Sequence, residues 1–180
     1  MKKWGLPLLL IIIAAGMIAV FAAGNKPKPA KPDSQLLGTK YPELARTHIA
    51  VGTNTPVPYN SNPPSSGPHW PSPAPWGIVD PSKVEADERY VHNLEHGGIW
   101  VSYKPDISAS DLQKLTDAFN QFPNSTQFNE VKAVMTPRAA DPHMIELVAW
   151  TYVLDLDSVD TAKINQFYLD HIDKGPELIP

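Results

Sequence analysis

The chain has 180 residues, of which 42% are hydrophobic and 19% are charged, so it has enough apolar side chains to form a packed core. Residues 1–40 contain six lysines and one aspartate, a net charge of +5, whereas residues 41–180 contain nine basic and eighteen acidic residues, a net charge of −9. An acidic globular part argues against nucleic-acid binding, which needs a basic surface. The absence of cysteine excludes disulfides, thiolate metal sites, iron–sulfur clusters and cysteine nucleophiles.

An uncharged apolar run from Trp4 to Ala23 follows two lysines at the N-terminus. As a helix, this run would span roughly 30 Å at about 1.5 Å per residue, which is the hydrocarbon thickness of a bilayer. We therefore predict an uncleaved single-pass anchor over residues 1–24, with a signal peptide cleaved after Gly24 as the alternative. The short N-terminal tail in front of a long domain favours a location in the cell membrane, with the domain on the extracytoplasmic side.

Residues 25–40 begin with NKPKPAKPD, in which alternating prolines and lysines are typical of a stiff, solvated tether. A globular extracytoplasmic domain is predicted over residues 41–180. Within it, residues 55–81 contain nine prolines, which supply few regular helix or strand hydrogen bonds. Because its tyrosine and two tryptophans are costly to leave in water, we expect this proline-rich segment to pack against the domain as an ordered loop.

The rest of the domain shows regular hydrophobic patterns. They predict a short helix or a turn at Glu85–His96, ended by Gly97 and Gly98, and a strand at Ile99–Tyr103. After these come a helix capped by Ser110 and ended by Pro123, a strand at Val131–Met135, one central strand at Ile145–Leu154 and a helix capped by Ser158. The predicted fold class is α+β, a compact sandwich of a small, mainly antiparallel sheet with helices on one face. A ferredoxin-like arrangement is one option, in which residues 49–59 add an edge strand.

Two histidines in the sequence HNLEHGG are the strongest indication of a functional site. His92 and His96 are spaced i, i+4, so on a helix both imidazoles lie on one face, close enough to bind one metal ion. Gly97 and Gly98 indicate a shaped turn directly before a strand. We therefore interpret the pair as metal ligands, with solvated surface histidines as the alternative.

The same residues fit the H-x-x-E-H pattern of inverted zincins, in which Glu95 would be the general base of a zinc hydrolase. A peptidase of this kind needs a sustained helix under the motif, whereas Gly97 and Gly98 end any helix at once. A domain of this size also leaves little room for a substrate cleft. The hydrolase is therefore an alternative to a metal carrier.

Further ligand candidates come from the proline-rich segment and from a strand. His69 lies in PPSSGPHWP, whose prolines hold it in place at little entropic cost, and Met135 alternates with apolar residues on its strand. By default Met135 belongs to the core. His48 is an alternative or outer-shell ligand, whereas His143 is expected on an exposed turn and His171 as a structural histidine of the last helix.

Together these motifs are similar to those of a known family. The sequence resembles the prokaryotic domain family DUF3105 in His48, PPSSGPHW at 63–70, WGIVD at 76–80, VHNLEHGGIWVSY at 91–103 and LVAW at 147–150. The resemblance covers residues 45–176, essentially the whole folded part. It implies a membrane-anchored or exported domain, but it implies no activity, so function has to be argued from the residues.

We predict a copper site formed by His69, His92, His96 and Met135. Imidazole nitrogen together with thioether sulfur suits Cu(I), whereas Zn²⁺ rarely accepts methionine. The domain would then capture, store or deliver metal at the membrane, with a partner protein for metal exchange. Under this hypothesis, Met135→Leu would mainly weaken Cu(I) binding relative to Zn²⁺ binding.

Neighbouring side chains are expected to support this site. Asn93 and Glu95 would orient the imidazoles through hydrogen bonds, and Trp70 and Trp100 would shield the metal from water. If the imidazoles meet without Met135, zinc and the hydrolase are favoured instead. A domain that binds no metal would indicate a non-catalytic interaction module in which the histidines only brace the proline-rich segment.

Overall fold

The computed structural model describes residues 31–180, and Asp33–Pro180 forms one compact unit. The membrane anchor predicted over residues 1–24 lies outside the described residues, as does the first part of the tether, residues 25–30. Within residues 31–180, no helix is both long enough and apolar enough to cross a bilayer.

The described residues contain six β-strands, three α-helices and two short 3₁₀ turns. The strands are β1 (Thr39–Lys40), β2 (Gly77–Ile78), β3 (Ile99–Tyr103), β4 (Ala133–Pro137), β5 (Ile145–Ala149) and β6 (Tyr152–Leu156). The helices are α1 (Asp87–Glu95), α2 (Ala109–Phe119) and α3 (Thr161–His171), and the 3₁₀ turns are Asp33–Gln35 and Pro81–Lys83. The far end of the predicted tether thus contributes β1.

All six strands form one mixed sheet in the order β1-β6-β5-β3-β4-β2. The pairs β3–β4 and β4–β2 are parallel, whereas β3–β5, β5–β6 and β6–β1 are antiparallel. In the middle of the sheet, Trp100 lies opposite Val134 on one side and Val148 on the other. The predicted α+β class is therefore confirmed, with a mixed sheet.

Each face of the sheet has its own core cluster, because successive side chains of a strand point to opposite faces. On one face, which we call the helix-pair face, α2 and α3 pack against residues such as Val101 and Met135. On the other, the α1 face, α1 packs against Trp100 and Val134. This alternation decides which strand residues can meet a site on α1.

The predicted placement of all helices on one face is wrong, because α1 lies on one face and α2 and α3 lie on the other. A ferredoxin-like arrangement is also wrong. The two strands that flank α2, β3 and β4, are hydrogen-bonded neighbours, whereas that fold separates such strands by another strand.

The apolar run that predicted one central strand is a hairpin. β5 and β6 pair antiparallel on either side of Trp150 and Thr151. Thr151 has a φ of 64°, a left-handed conformation that β-branched residues rarely adopt. The continuous apolar pattern therefore hid the turn.

Two helix caps and one edge strand also differ from the predictions. The N-caps of α2 and α3 are Ser108 and Asp160, whose side chains accept hydrogen bonds from the first turn, instead of Ser110 and Ser158. Residues 49–59 form no strand. Serine-rich and aspartate-rich helix starts offer several equivalent caps, so the sequence pattern located these helices to within two residues.

The proline-rich segment, residues 55–81, is ordered against the domain, as predicted. All residues from Pro63 to His69 are buried, and the Tyr59 hydroxyl donates to the Pro68 carbonyl at 2.6 Å. Tyr59 also packs against the core cluster of the α1 face. The segment therefore holds its histidine against the same face of the sheet as α1.

Candidate metal centre

Helix α1 presents three polar side chains along its flank. Val91 and Leu94 are fully buried in the cluster of the α1 face and pack the helix onto the sheet. His92 and Glu95 each follow one of these residues, and His96 lies one turn after His92, so all three share the adjacent flank. The helical spacing predicted from HNLEHGG is therefore present.

The two glycines after α1 end the helix in a Schellman motif. Gly97 has a φ of 78°, and its N–H donates to the Leu94 carbonyl at 2.9 Å. The Gly98 N–H donates to the Asn93 carbonyl at 2.9 Å, which completes the motif. A Cβ on Gly98 would overlap the Trp76 ring. The double glycine therefore ends α1 directly after its histidines and admits a side chain of the proline-rich segment.

The SGPH turn places His69 against α1. Gly67 has a φ of 127°, and a Cβ there would lie 2.9 Å from a tyrosine ring, so the turn requires glycine. The His69 N–H donates to the Thr47 carbonyl at 3.1 Å, and the Ile49 N–H donates to the His69 carbonyl at 2.8 Å. This backbone bridge sets His48 alongside His69.

Four side chains from three chain segments converge at this point. One ligand atom from each of His48, His69, His92 and Glu95 lies within 4.8 Å of the other three. Oε2 of Glu95 is 2.9 Å from Nε2 of His69 and 3.6 Å from Nε2 of His48. The His48 side chain is 48% exposed, whereas the other three are buried, so the group opens to solvent on one side.

Hydrogen bonds to backbone carbonyls set the tautomers of two rings. Nδ1 of His69 is 2.7 Å from the Gly67 carbonyl oxygen, and Nδ1 of His92 is 2.6 Å from the Trp70 carbonyl oxygen. Because a carbonyl oxygen only accepts, Nδ1 carries the proton in both rings. Nε2 of His69 then faces Glu95, whereas Nε2 of His92 accepts a hydrogen bond from Nε2 of His96 at 2.9 Å, which a bound ion would replace. Metal-bound histidines typically have this arrangement, in which the second nitrogen donates to a carbonyl or carboxylate.

With this tautomer, the contact between His69 and Glu95 joins two acceptors. A neutral Nε2 and a carboxylate oxygen 2.9 Å apart repel each other unless a proton or a metal ion lies between them. Both side chains are almost fully buried, so water screens the repulsion poorly. Two donors of one tetrahedral zinc ion, each about 2.0–2.2 Å from it, lie about 3.3–3.6 Å apart. Shared metal ligation would therefore widen this contact by about half an ångström.

His96 contacts His92 and lies outside the group of four. Its Nε2 is 2.9 Å from Nε2 of His92 and 3.9 Å from the Glu177 carboxylate. Burial, followed by the neighbouring His92 and Lys132, lowers the pKa of His96 to about 4, and burial also lowers the pKa of His92. Both imidazoles are therefore neutral at neutral pH, which is the form that binds metals.

Met135 does not meet the histidines. It is 1% exposed in the cluster of the helix-pair face, opposite Val101 in the sheet register. Trp100 and Val134 occupy the other face of the same strands and pack with α1. The predicted ligand set of three histidines and Met135 is therefore corrected, since the sheet separates the thioether from His92.

The predicted supporting roles also change. The Asn93 side chain donates to and accepts from the backbone of the proline-rich segment instead of orienting a histidine. Trp100 is fully buried and donates to Thr136 at 2.8 Å. Trp70 contacts the site through its carbonyl oxygen, which accepts from His92, while its indole N–H donates to the Thr53 carbonyl at 3.0 Å. The ring of a third tryptophan, Trp150, lies edge-on to His69 with the centroids 6.4 Å apart.

Glu95 and His48 belong to the group of four but are not among the four ligands predicted from the sequence. The sequence pattern predicts a supporting or general-base role for Glu95 and the role of an alternative ligand for His48. The i, i+3 spacing from His92 to Glu95 already indicated a shared helix flank for the carboxylate. His48 has no local pattern that marks it, because a backbone bridge to a distant segment brings it in. His171, by contrast, is buried in α3 with its Nε2 2.7 Å from the Leu37 carbonyl, in the structural role predicted for it.

One comparison with known proteins bears on this site. The model of a family described as "Protein of unknown function (DUF3105)" matches residues 50–179. The matched range includes the SGPH turn, α1 and five of the six strands, while His48 lies just before it. No curated protein and no solved structure matches the chain significantly. The chemistry of the site is therefore the basis for a functional proposal.

Proposed function

The chain belongs to the DUF3105 family, whose description assigns no activity, and from the site itself we propose that it binds one divalent transition-metal ion. The proposed ligands are His48, His69, His92 and Glu95. The observation that carries the proposal is that their ligand atoms lie within 4.8 Å of one another. The 2.9 Å contact between Nε2 of His69 and Oε2 of Glu95, which needs a proton or a cation between the two atoms, supports the same conclusion.

The donor set favours some metals over others. Imidazole nitrogen and carboxylate oxygen suit Zn²⁺ and Cu²⁺, whereas Cu(I) prefers thioether or thiolate sulfur. Met135 lies on the opposite face of the sheet, and the sequence contains no cysteine. We therefore propose zinc or divalent copper, in place of the monovalent copper that the His/Met hypothesis favoured.

The proposed role is capture, storage or delivery of this ion on the extracytoplasmic side of the cell membrane. The apolar run Trp4–Ala23 would anchor the chain and the lysine–proline tether would hold the domain off the membrane surface. The half-exposed His48 supports exchange, because an ion can enter and leave past its ring. A partner protein would meet the domain at this opening.

A zinc hydrolase is the second candidate, because Nε2 of His92 and Nε2 of His96 lie 2.9 Å apart on one flank of α1. In an H-x-x-E-H enzyme these two imidazoles hold the zinc and Glu95 is the general base. Here Glu95 lies against His69 at 2.9 Å and is almost fully buried, which favours a ligand over a base. Ester or peptide hydrolysis by the zinc-loaded chain, lost in Glu95→Gln while zinc stays bound, would favour the enzyme.

Metal titration of the full chain tests the proposal. The protein is purified in detergent without added metal, treated with a chelator, and titrated calorimetrically with Zn²⁺ and Cu²⁺. Cu(I) is titrated against a chromophoric competitor. We expect Zn²⁺ and Cu²⁺ to bind tightly at the histidine group, with Cu²⁺ the tighter of the two and no preference for Cu(I).

Two variants decide where the ion binds. His92→Ala should lose the tight site, whereas His171→Gln, which changes a buried histidine on the helix-pair face, should keep it. Equal affinity in wild type and His92→Ala would contradict the proposal. A wild-type chain that binds no metal tightly would favour the non-catalytic interaction module.

A further inference from the structure

Two carboxylates face each other on the β5–β6 hairpin. Glu146 and Asp155 are direct partners in the antiparallel register, so their side chains lie on the same face of the sheet. Like charges at directly opposed positions destabilise a sheet. Glu146 is fully buried, whereas the Asp155 side chain is 45% exposed. Something other than solvent therefore has to compensate the inner carboxylate.

The hydrogen bonds of Glu146 leave one of its oxygens without an N–H donor. Oε1 accepts from the His143 N–H at 3.0 Å, whereas Oε2 is buried and meets no donor among the described residues except a proton shared with the Asp155 carboxyl. Burial, followed by this hydrogen bond with Asp155, raises the pKa of Glu146 to about 9. In the part of the chain that the structure describes, no lysine or arginine forms an ion pair with Glu146 or Asp155. The positive partner of this pair is therefore a proton or an external cation.

His143 completes the group from the turn that precedes β5. Its Nδ1 is 2.8 Å from the Asp157 carboxylate, which only accepts, so Nδ1 carries the proton. Nε2 is then available, and it lies 3.9 Å from Oδ2 of Asp155. A carboxylate behind an imidazole in this way orients many metal-binding histidines.

We propose that His143, Glu146 and Asp155 bind a second divalent cation, independent of the proposed histidine-rich site. One ligand atom from each of the three lies within 4.8 Å of the others. The buried Oε2 of Glu146 is the independent indication of a ligand, since neither solvent nor a protein N–H satisfies it, and a cation would replace the proton that it shares with Asp155. One imidazole and two carboxylates form a harder donor set than the first site, which suits Mn²⁺.

The second site lies apart from the first and would have a different effect on the protein. Glu146 lies about 13 Å along the hairpin from Trp150, the residue whose ring meets His69, at roughly 3.3 Å per residue. A cation there would connect the turn before β5 to Asp155, near the C-terminal end of β6. Binding to the folded state would therefore stabilise the hairpin.

Mn²⁺ binding by the full chain tests this inference, with the free ion followed by electron paramagnetic resonance. His92→Ala provides the background, because it removes the proposed first site. In that background we expect one Mn²⁺ to bind, and Glu146→Gln or Asp155→Asn to weaken it by at least about 10–100-fold, the loss typical even of outer-shell changes. Asp117→Asn, at an exposed aspartate on α2, is the matched control and should change nothing.

Two different carboxylate variants are used so that the test does not depend on the folding of either one. Glu146→Gln has nearly the shape of the protonated acid, and Asp155→Asn changes a half-exposed residue, so at least one of them should fold. Mn²⁺ affinity that is unchanged in both would overturn the inference and show that the two carboxyls only share a proton. Because the first site is tested with Zn²⁺ and His92→Ala, either proposal can fail without the other.

Discussion

On the helix-pair face, α2 and α3 cover a cluster in which Met135 is one apolar side chain among many, whereas the α1 face combines a smaller apolar cluster with buried polar groups. The α1 face and the segments over it bury His69, His92 and Glu95. Burying such groups costs free energy unless each is hydrogen-bonded or ligated. We therefore expect substitutions in the apolar cluster of the helix-pair face to change stability alone, and substitutions in the histidine group of the α1 face to change metal binding as well.

The sharpest test of this comparison is Glu95→Gln. Without metal, the amide N–H of glutamine can donate to Nε2 of His69, which replaces a contact between two acceptors by a hydrogen bond. The free energy of unfolding of the metal-free chain should therefore rise. Zn²⁺ affinity should fall by more than about 100-fold, because a ligand is lost, which exceeds the usual effect of an outer-shell change.

Chelator competition measures the affinity and urea denaturation measures the stability. His69→Ala serves as the control, because it should lower the affinity without the gain in stability. If Glu95→Gln destabilised the metal-free chain, the carboxylate would already be satisfied by a proton and the argument for a cation would lose its basis.

On the helix-pair face, truncation of Met135 should affect stability alone. Met135→Ala should lower the free energy of unfolding by about 2–5 kcal/mol, because it leaves a cavity in a closely packed cluster. Met135→Leu nearly conserves volume and should cost less than about 1.5 kcal/mol. Zn²⁺ and copper affinities should equal those of wild type in both. A selective loss of Cu(I) binding in Met135→Leu would restore the His/Met hypothesis.

The SGPH turn contributes both to stability, because it packs on the domain, and to metal binding, because it positions His69. Gly67→Ala should cost about 1–3 kcal/mol of stability, because its positive φ and its tyrosine neighbour both disfavour a Cβ. The displaced turn should also weaken Zn²⁺ binding. Gly52→Ala is the matched control, because Gly52 also has a positive φ but a Cβ there would meet no neighbour within 4 Å. Calorimetric titration should show weaker Zn²⁺ binding only for Gly67→Ala. Thermal unfolding measures the stability of both variants.

The smallest effect concerns pH on the helix-pair face. Burial lowers the pKa of His171 below its ordinary value of 6.5, so as the pH falls the unfolded chain binds a proton before the folded chain does. The contribution of His171 to stability is therefore present above pH 6.5 and is lost as the pH falls below it. Replacing His171 with glutamine should make stability less dependent on pH between 7.5 and 5.

The comparison must be made against wild type, because other groups titrate in the same range. His92 and His96 have lowered pKa values and act with the same sign, whereas the raised pKa of Glu146 acts with the opposite sign. Urea denaturation of both proteins at pH 5 and pH 7.5 isolates the difference due to His171. An identical pH dependence in the two proteins would show that His171 titrates normally.

Local patterns were sufficient wherever the interacting residues are close in sequence. The i, i+4 histidines, the helix beneath them and its end at Gly97 all follow from contacts within about one helical turn, and the structure contains all three. The family motifs and the ordered proline-rich segment were also recognisable, because glycines, prolines and aromatic residues have strong individual preferences. The convergence of His69 with His92 was a hypothesis that the geometry supports.

Where residues distant in sequence decide the outcome, only the tertiary structure gave the answer. Met135 differs from its neighbour Val134 by one step of a strand, and a single step moves a side chain to the opposite face of the sheet. His48 joins the site through a backbone bridge that no local pattern marks, and Thr151 turns the chain where the apolar pattern is continuous. Composition and spacing therefore determined which side chains were available, whereas strand register and loop contacts determined which of them meet, because both depend on pairings between distant segments.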